Sequence, residues 1–135
     1  MMQVATSREN QPWACTVYFA TDEDLNLYWI SLPTRRHSEE IRRNEKVAGT
    51  VVLPHTPGDE VRGIQFEGIA KELQGTEARE GLQYYAQRYG MDESAIEKIL
   101  TGENPHVCYR ITPKSFVLFD EVNFPDDSRQ EYRVQ

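Results

Sequence analysis

Short apolar runs recur along most of the chain and alternate with polar or turn-forming segments. Two such runs flank the turn-rich "SRENQP", and a third, "LNLYWISL", is rich in aromatic and β-branched residues. Later stretches of the same composition are "KVAGTVVL", "RGIQFEGIAKEL", "HVCYRIT" and "SFVLFDEVNF". Runs of this length in close succession predict consecutive antiparallel strands.

Three segments have helical rather than strand periodicity. An amphipathic pattern starts after "LNLYWISLP", with Thr34 as its expected N-cap, and extends only to Asn44, so it predicts one short helix. "TEAREGLQYYAQRYG" places apolar residues on one stripe between Thr76 as N-cap and Gly90 as C-terminal stop. "DESAIEKILTG" repeats that arrangement, so the two stretches predict a helical pair.

The order of these elements indicates a mainly β (β+α) fold. We expect an antiparallel barrel with a short helix after strand 3 and a helical pair before the last strands. The 135 residues fit one domain, which we place at residues 1–124. Residues 125–135 are polar and are expected to form a tail without regular structure.

The charge balance restricts the possible partners. A formal net charge of −7 repels nucleic acid and anionic membranes at long range, so any basic function must be local. No stretch approaches the roughly 20 apolar residues of a membrane span, and the N-terminus has no signal pattern. The sequence predicts a cytoplasmic protein without a nucleic-acid or membrane partner.

The residues that most often carry catalysis or bind metals give little signal. Cys15 and Cys108 lie in apolar runs without a ligand-spaced partner, so we expect buried, reduced thiols and no metal site. His55 and His106 stand beside prolines in turn-like segments and receive no role. Glycine-rich phosphate loops and nucleophile elbows are absent, so any redox chemistry would require a bound cofactor.

The segment "TRRHSEE" places three basic residues at a helix start. Arg35, Arg36 and His37 fall in the first turn after Thr34, where the helix macrodipole disfavours cations. A bound phosphate would make the cations favourable there, because it accepts hydrogen bonds from free N–H groups, from the hydroxyl of Thr34 or Ser31, and from arginine. The alternative is a solvated face on which the arginines pair with Glu39 and Glu40, and spacing alone leaves both interpretations open.

Other polar and aromatic residues are weaker candidates. Gln65 lies on the polar face of its strand and could contact a heterocycle, and Arg62 could reach a second anion, although both are also ordinary surface residues. A set of aromatic residues could wall a flat ligand, or could serve a barrel core or dimer interface, which is the more common role. The members of this set are Trp13, Tyr18, Tyr28, Trp29, Phe66 and Tyr109.

The order of the motifs resembles one known family. "ATSRENQPWACTVYFATDEDLNLYWIS", then "TRRH", "NEKVAGTV" and "RGIQFEGIAKEL", is similar to the FMN-binding split-barrel family related to pyridoxamine 5′-phosphate oxidase. Within that family the chain looks most like a small uncharacterised bacterial branch with a similar T-R-H step. The resemblance extends from about Val4 to Phe124.

The resemblance implies a homodimer of split barrels with one FMN in each of two clefts between subunits. The pair that grips the phosphate falls on Arg36 and His37, with Arg35 at the family's small hydroxyl position. Residues expected to line the flavin are Ile30 and Ser31, with the segment Cys15–Val17, including Thr16, contributing backbone contacts. Gln65 and Arg62 match the strand that reaches the flavin or its phosphate.

The chain also departs from the family's oxidases. Histidine replaces lysine at His37, so the resemblance implies a weaker or a pH-dependent phosphate affinity. Cys15 stands where the oxidase has arginine, and "FPDDSRQEYRVQ" lacks the oxidase's substrate-binding features, so pyridoxamine phosphate oxidation is not expected. The family's helix before the first strand has no counterpart, which indicates a start assigned late or a truncated N-terminus.

Two functional hypotheses follow. The first is an FMN-dependent oxidoreductase that acts on a nicotinamide or another small oxidisable substrate, with its catalytic residues and substrate unassigned. The second is a protein that binds or stores flavin, deazaflavin or haem without turnover. A barrel that binds single-stranded nucleic acid is disfavoured by the net charge.

Overall fold

A computed structural model describes residues 1–135 and confirms the mainly β architecture. The strands are β1 (Met2–Arg8), β2 (Gln11–Val17), β3 (Ala20–Thr21), β4 (Leu27–Ser31), β5 (Lys46–Val52), β6 (Arg62–Glu72), β7 (Val107–Asp120) and β8 (Arg129–Arg133). The helices are α1 (Arg36–Arg43), α2 (Gly75–Tyr89) and α3 (Glu93–Leu100). No helix is both long enough and apolar enough to span a membrane.

All eight strands belong to one antiparallel sheet in the order β2-β1-β5-β6-β7-β4-β3, with β8 paired to β7. The β1–β2 hairpin turns at Glu9 and Asn10, which both have positive φ, as a two-residue primed turn requires. No backbone pairing joins β2 at one end of the sheet to β3 and β4 at the other. The barrel is therefore split between these strands.

The barrel interior holds the larger of two hydrophobic cores. Met2 and Val4 from β1, Trp29 from β4 and Tyr109 from β7 are essentially inaccessible to solvent, and Trp29 stacks on Tyr109 with ring centroids 5.1 Å apart. Ile41 of α1 belongs to the same core. The short helix after β4 thus packs against the barrel interior and is held at one end of the split.

The helical pair packs on the outer face of β4 and β7. Leu82 of α2 and Ile96 of α3 meet Tyr28 and Cys108 in the second core. Gly90 ends α2 in the left-handed conformation, as the sequence predicts, and Asp92 caps α3 by accepting a hydrogen bond from the Ala95 N–H at 2.8 Å.

Several predicted boundaries are wrong. The runs expected as two final strands form the single strand β7, and the expected polar tail contains β8, which pairs with it. The short helix follows the fourth strand, because the two-residue β3 has too few residues to be recognised from its pattern. The expected caps Thr34 and Thr76 are not N-caps: Arg35 and Gln74 occupy those positions, without side-chain capping bonds.

Candidate functional site

A cavity of about 290 Å³ lies at the split of the barrel, between the end of β2, β4 and the start of α1. Its lining contains basic groups, hydroxyls and aromatic rings but no carboxylate. The lining residues are Thr16, Val17, Tyr18, Ile30, Ser31, Leu32, Arg35, His37, Tyr85 and His106. The structure therefore brings Thr16, Ile30, Ser31, Arg35 and His37 together, all of which the sequence had proposed as cofactor contacts.

The start of α1 is held by backbone and hydroxyl contacts rather than by a capping side chain. The Arg35 N–H and the Ser38 hydroxyl both donate to the Leu32 carbonyl, at 3.1 and 3.0 Å. Thr34 is exposed and lies outside the cavity lining. The exposed Arg35 side chain has no carboxylate partner, so its charge is available at the cavity.

His37 is buried beside Ser31. The Ser31 Oγ and His37 Nε2 atoms lie 2.8 Å apart in a hydrogen bond, and each residue is only 9 % exposed. Burial, followed by the nearby charge of Arg35, lowers the pKa of His37, while Glu40 opposes the shift. The imidazole therefore favours its neutral form, and an anion in the cavity would shift it back toward the charged form.

Arg36 is directed away from this cavity. Its Nε donates to Glu40 Oε1 at 2.8 Å, and its guanidinium lies 4.2 Å above the ring of Trp13 on β2. The expected pairing with Glu40 is present, but its carboxylate is buried while the Arg36 side chain is 46 % exposed, so the pair differs from a fully solvated one. The arginine that lines the cavity is the N-cap Arg35, whereas the resemblance gave the phosphate contact to Arg36 and His37.

The remaining proposed contacts lie elsewhere. Gln65 is exposed on β6 and lines a second cavity of about 460 Å³ with Thr50, Glu67 and Ser115. Arg62 stands at the far end of β6, opposite Asp120 of β7. Within a single chain, neither Gln65 nor Arg62 therefore lies at the cavity of the split.

The two thiols are free but differ in burial. Cys108 is 1 % exposed, and burial raises its pKa to about 12. Cys15 is only half-buried against the barrel core, and burial raises its pKa as well. Cys15 is not a lining residue, although its neighbour Thr16 is.

The sequence missed His106 as a site residue. The His106 N–H donates to Asn104 Oδ1 at 3.0 Å, and His106 Nδ1 lies 2.7 Å from the same oxygen. Because that oxygen only accepts, this hydrogen bond requires the proton on Nδ1, the tautomer in which Nε2 has an unshared electron pair. The Asn-Pro-His order in "ENPHV" is the sequence feature that could have indicated this, because asparagine in a turn can bond to the residue two positions later.

Aromatic residues divide between the cavity and the cores. Of the set considered for a ligand wall, Tyr18 alone lines the cavity, and it is 58 % exposed there. Tyr85 of α2 joins it, and Tyr89 fixes this rim by donating to the Phe19 carbonyl at 2.7 Å and accepting from the Phe19 N–H at 3.1 Å. Most of the others fill the cores, as expected for such residues.

The open antiparallel barrel and the basic cavity at its split define a split-barrel protein with a site suited to an anionic ligand. The family model described as "Pyridoxamine 5′-phosphate oxidase" matches residues 1–119 of the chain. The chain therefore belongs to the pyridoxamine 5′-phosphate oxidase family.

Bacterial relatives narrow the placement within that family. A UPF0306 protein of Klebsiella pneumoniae is 32 % identical over 123 residues, which are 90 % of this chain and 74 % of the relative. A UPF0306 protein of Pasteurella multocida is 26 % identical over 125 residues, or 92 % of this chain and 83 % of the relative. The expected small bacterial branch is thus confirmed as the UPF0306 group.

Solved structures confirm the fold. A conserved hypothetical protein from Mycobacterium tuberculosis superposes with a TM-score of 0.74 at 19 % identity, over 92 % of this chain and 79 % of that one. A haem-binding protein from Mycobacterium smegmatis gives 0.72 at 13 % identity, over 98 % and 52 %. An FAD-binding protein from Mesorhizobium loti gives 0.59 at 23 % identity, over 85 % and 81 %.

Proposed function

We propose that this protein is a flavoprotein that binds FMN in the cavity at the barrel split and uses it as an oxidoreductase. The observation that carries the proposal is the lining of that cavity: it contains Arg35, two imidazoles and several hydroxyl groups but no carboxylate. In a chain of net charge −7, such a lining is a local reversal of charge. It suits a ligand that has both an anionic group and a flat ring.

The residues at the cavity fit the two parts of FMN. Arg35, the first-turn N–H groups of α1 and the Ser31 hydroxyl are the groups that would hold the phosphate. Ile30, Tyr18 and Tyr85 offer apolar and aromatic surface to a ring system. FMN, when bound, supplies hydride-transfer chemistry, and the chain's own residues bind and orient it.

His37 would adjust the affinity for the phosphate. In the structure its ring favours the neutral form beside Ser31. A phosphate close to His37 would stabilise the protonated ring, so binding would take up a proton. Arg36 would act indirectly here, because its Nε is bonded to Glu40.

We also propose that two copies of the chain form the complete site. Gln65 lies on a different face of the sheet from the cavity, beside the second cavity on β5, β6 and β7. A second copy against this face is the expected way for Gln65 to reach a ligand held at the split. The family resemblance supports a homodimer with clefts between subunits.

A second candidate function, binding or storage of haem without turnover, is favoured by His106. Its Nε2 keeps an unshared pair, and its Nδ1 is oriented by Asn104, an arrangement typical of imidazoles that bind a metal. The haem-binding protein from M. smegmatis has the same fold. Spectra taken with added haemin distinguish the candidates, because ligation of iron by His106 would shift the Soret band and His106→Ala would abolish the shift.

The test of the FMN proposal is substitution of Arg35. We expect Arg35→Gln to weaken FMN binding by about 10- to 100-fold, since it removes a charge-assisted hydrogen bond to the phosphate. Arg43→Gln is the matched control, because Arg43 is an exposed arginine at the other end of α1, outside the cavity lining. Quenching of flavin fluorescence measures both affinities. Equal affinities in the two variants, or no FMN binding by the wild-type protein, would reject the proposal.

Turnover needs a separate experiment. The FMN-loaded protein is mixed with NADH or NADPH without oxygen, and the flavin absorbance is followed. Bleaching by either donor supports the oxidoreductase, and its absence with both favours a binding protein.

Arg36 is unsuited to these tests, because removing its cation leaves the buried Glu40 carboxylate uncompensated and destabilises the fold.

A further inference from the structure

Glu40 is a buried carboxylate to which the proposed site gives no role. The Thr6 hydroxyl donates to its Oε2 at 2.5 Å, and Arg36 Nε donates to its Oε1 at 2.8 Å. Burial alone would raise the pKa of Glu40, but these hydrogen bonds and the charges of Arg36 and Arg8 outweigh burial and hold the pKa below its ordinary value. Glu40 is therefore ionised inside the protein.

These contacts connect α1 to two strands of the barrel. Through Thr6, Glu40 is bonded to β1. Through Arg36, whose guanidinium lies over the ring of Trp13, it is linked to β2. The last two residues of β2, Thr16 and Val17, line the cavity.

At the start of α1, the N-cap Arg35 and the helical residue His37 flank Arg36 in the chain. Both flanking residues line the cavity, while Arg36 itself is held by Glu40. No side chain caps this helix start, so the Glu40 contacts supply side-chain restraint where a cap would normally do so.

We propose that Glu40 is a positioning residue for the anion-binding end of the cavity. By holding Arg36 and Thr6, it sets the first turn of α1, with Arg35 and His37, against the wall formed by β2. Groups that orient the residues in direct contact with a ligand commonly change its affinity strongly when they are removed. The inference rests on the proposed function, because the anion concerned is the phosphate of FMN.

The direction in which FMN affinity changes when the Glu40 carboxylate is removed distinguishes a positioning role from a purely electrostatic one. A carboxylate near a phosphate opposes its binding, so loss of that charge alone would tighten FMN binding. Loss of positioning would weaken it. The loss would be confined to ligands that carry the phosphate, whereas a general disturbance of the barrel would weaken riboflavin binding equally.

The experiment compares Glu40→Gln with Glu39→Gln, its exposed neighbour on the same helix. Glutamine keeps the shape of Glu40 but carries no charge, so its bond to Arg36 is weaker, and its amide nitrogen cannot accept from the Thr6 hydroxyl as the carboxylate does. We expect Glu40→Gln to bind FMN about tenfold more weakly and riboflavin with unchanged affinity. Glu39→Gln should bind both ligands as the wild type does, as measured by flavin fluorescence quenching.

Three results would overturn the inference: FMN affinity that is unchanged or tighter in Glu40→Gln, equal losses for FMN and riboflavin, or the same loss in Glu39→Gln. If near-ultraviolet circular dichroism shows that Glu40→Gln is unfolded, Thr6→Val tests the inference instead. It removes one hydrogen bond to Glu40 and should likewise reduce the preference for FMN over riboflavin. A wild-type protein that binds no FMN would reject the proposed function, and the inference with it. FMN binding with an unaltered preference in the variants rejects this inference alone.

Discussion

At the scale of single residues, the basic helix start divides its three members among different tasks. Arg35 lines the cavity without a carboxylate partner, Arg36 is paired with a buried glutamate, and His37 is bonded to Ser31 with its charge suppressed. Arg36 and His37 are adjacent in the helix and point about 100° apart, so they face different surroundings. Arg35 is the N-cap with an extended backbone, and its side chain shares the cavity with His37. The composition of the cluster is visible in the sequence, but the direction of each side chain is not.

The lowered pKa of His37 predicts a pH dependence of stability. Because the unfolded chain binds this proton more readily than the native state, the stabilising contribution is present above the ordinary pKa of 6.5. It is lost as the pH falls through 6.5 toward the lowered native pKa. We expect the melting temperature of the wild type to fall more steeply between pH 7 and 5 than that of His37→Gln.

The control for this titration is His55→Gln, which alters an exposed histidine of the loop before β6. It should keep the wild-type dependence on pH. Saturating FMN should reduce the slope, since an anion beside His37 raises its native pKa. A His37→Gln profile parallel to that of the wild type would contradict the assignment.

At the scale of elements, close approach of α2 to the sheet depends on one glycine. A Cβ on Gly81 would lie 2.6 Å from Tyr28 Cδ1 and 2.9 Å from Cys108 Sγ, both in the second core. These neighbours are buried rather than flexible surface groups. The helix would have to move outward to accommodate even a methyl group.

Gly81→Ala should therefore lower the free energy of unfolding by about 1–2 kcal/mol, with the cost of overpacking exceeding the better helix propensity of alanine. Urea denaturation measures the change. Gln83→Ala, at an exposed position of the same helix, should stay within about 0.5 kcal/mol of the wild type. Equal or greater stability of Gly81→Ala would show that α2 can shift without loss.

The same scale shows what the sequence could predict and what it could not. Strand and helix periodicity located most elements, because burial of one face imposes that periodicity locally. Pro113 separated two apolar runs and suggested a break, yet β7 continues through it, since the register shifts there against Gly68 of β6 and a bulge needs no N–H donor. The polar strand β8 is stabilised by pairing with β7, for which its own composition gives little signal.

The residues of the candidate site likewise differ in how far the sequence alone could identify them. The start of α1 and the end of β4 are near in sequence, so Ser31, Arg35 and His37 could be grouped from the chain alone. Tyr85 and His106 reach the cavity only because α2 and the segment before β7 pack across β4. Their presence depends on tertiary contacts, which a single sequence does not encode visibly.

At the scale of the whole molecule, the second cavity and the position of Gln65 beside it support the proposal of an assembly of two copies. The half-buried Val117 and the exposed Gln65 line the second cavity, on β5, β6 and β7. We expect light scattering to give a mass twice the 15.7 kDa of the chain. Val117→Lys should give the mass of one chain, because it places a charge on the face that we propose the second copy covers.

Val122→Lys is the matched control, since Val122 is an exposed valine in the turn after β7. It should keep the mass of the wild type. A wild-type protein that remains a single chain at every concentration would contradict the dimer and would leave Gln65 without a route to the ligand.

The unpaired gap between β2 and β4 has a mechanical consequence. Since no backbone hydrogen bond joins β2 to β4, the two walls of the cavity can shift relative to each other by flexing of the remaining sheet without breaking a strand pairing. A ligand bound in the gap would bridge the two walls of the barrel. Part of its binding energy would offset the cost of moving the walls toward each other. Affinity would then respond to the stiffness of distant strands as well as to the groups that touch the ligand.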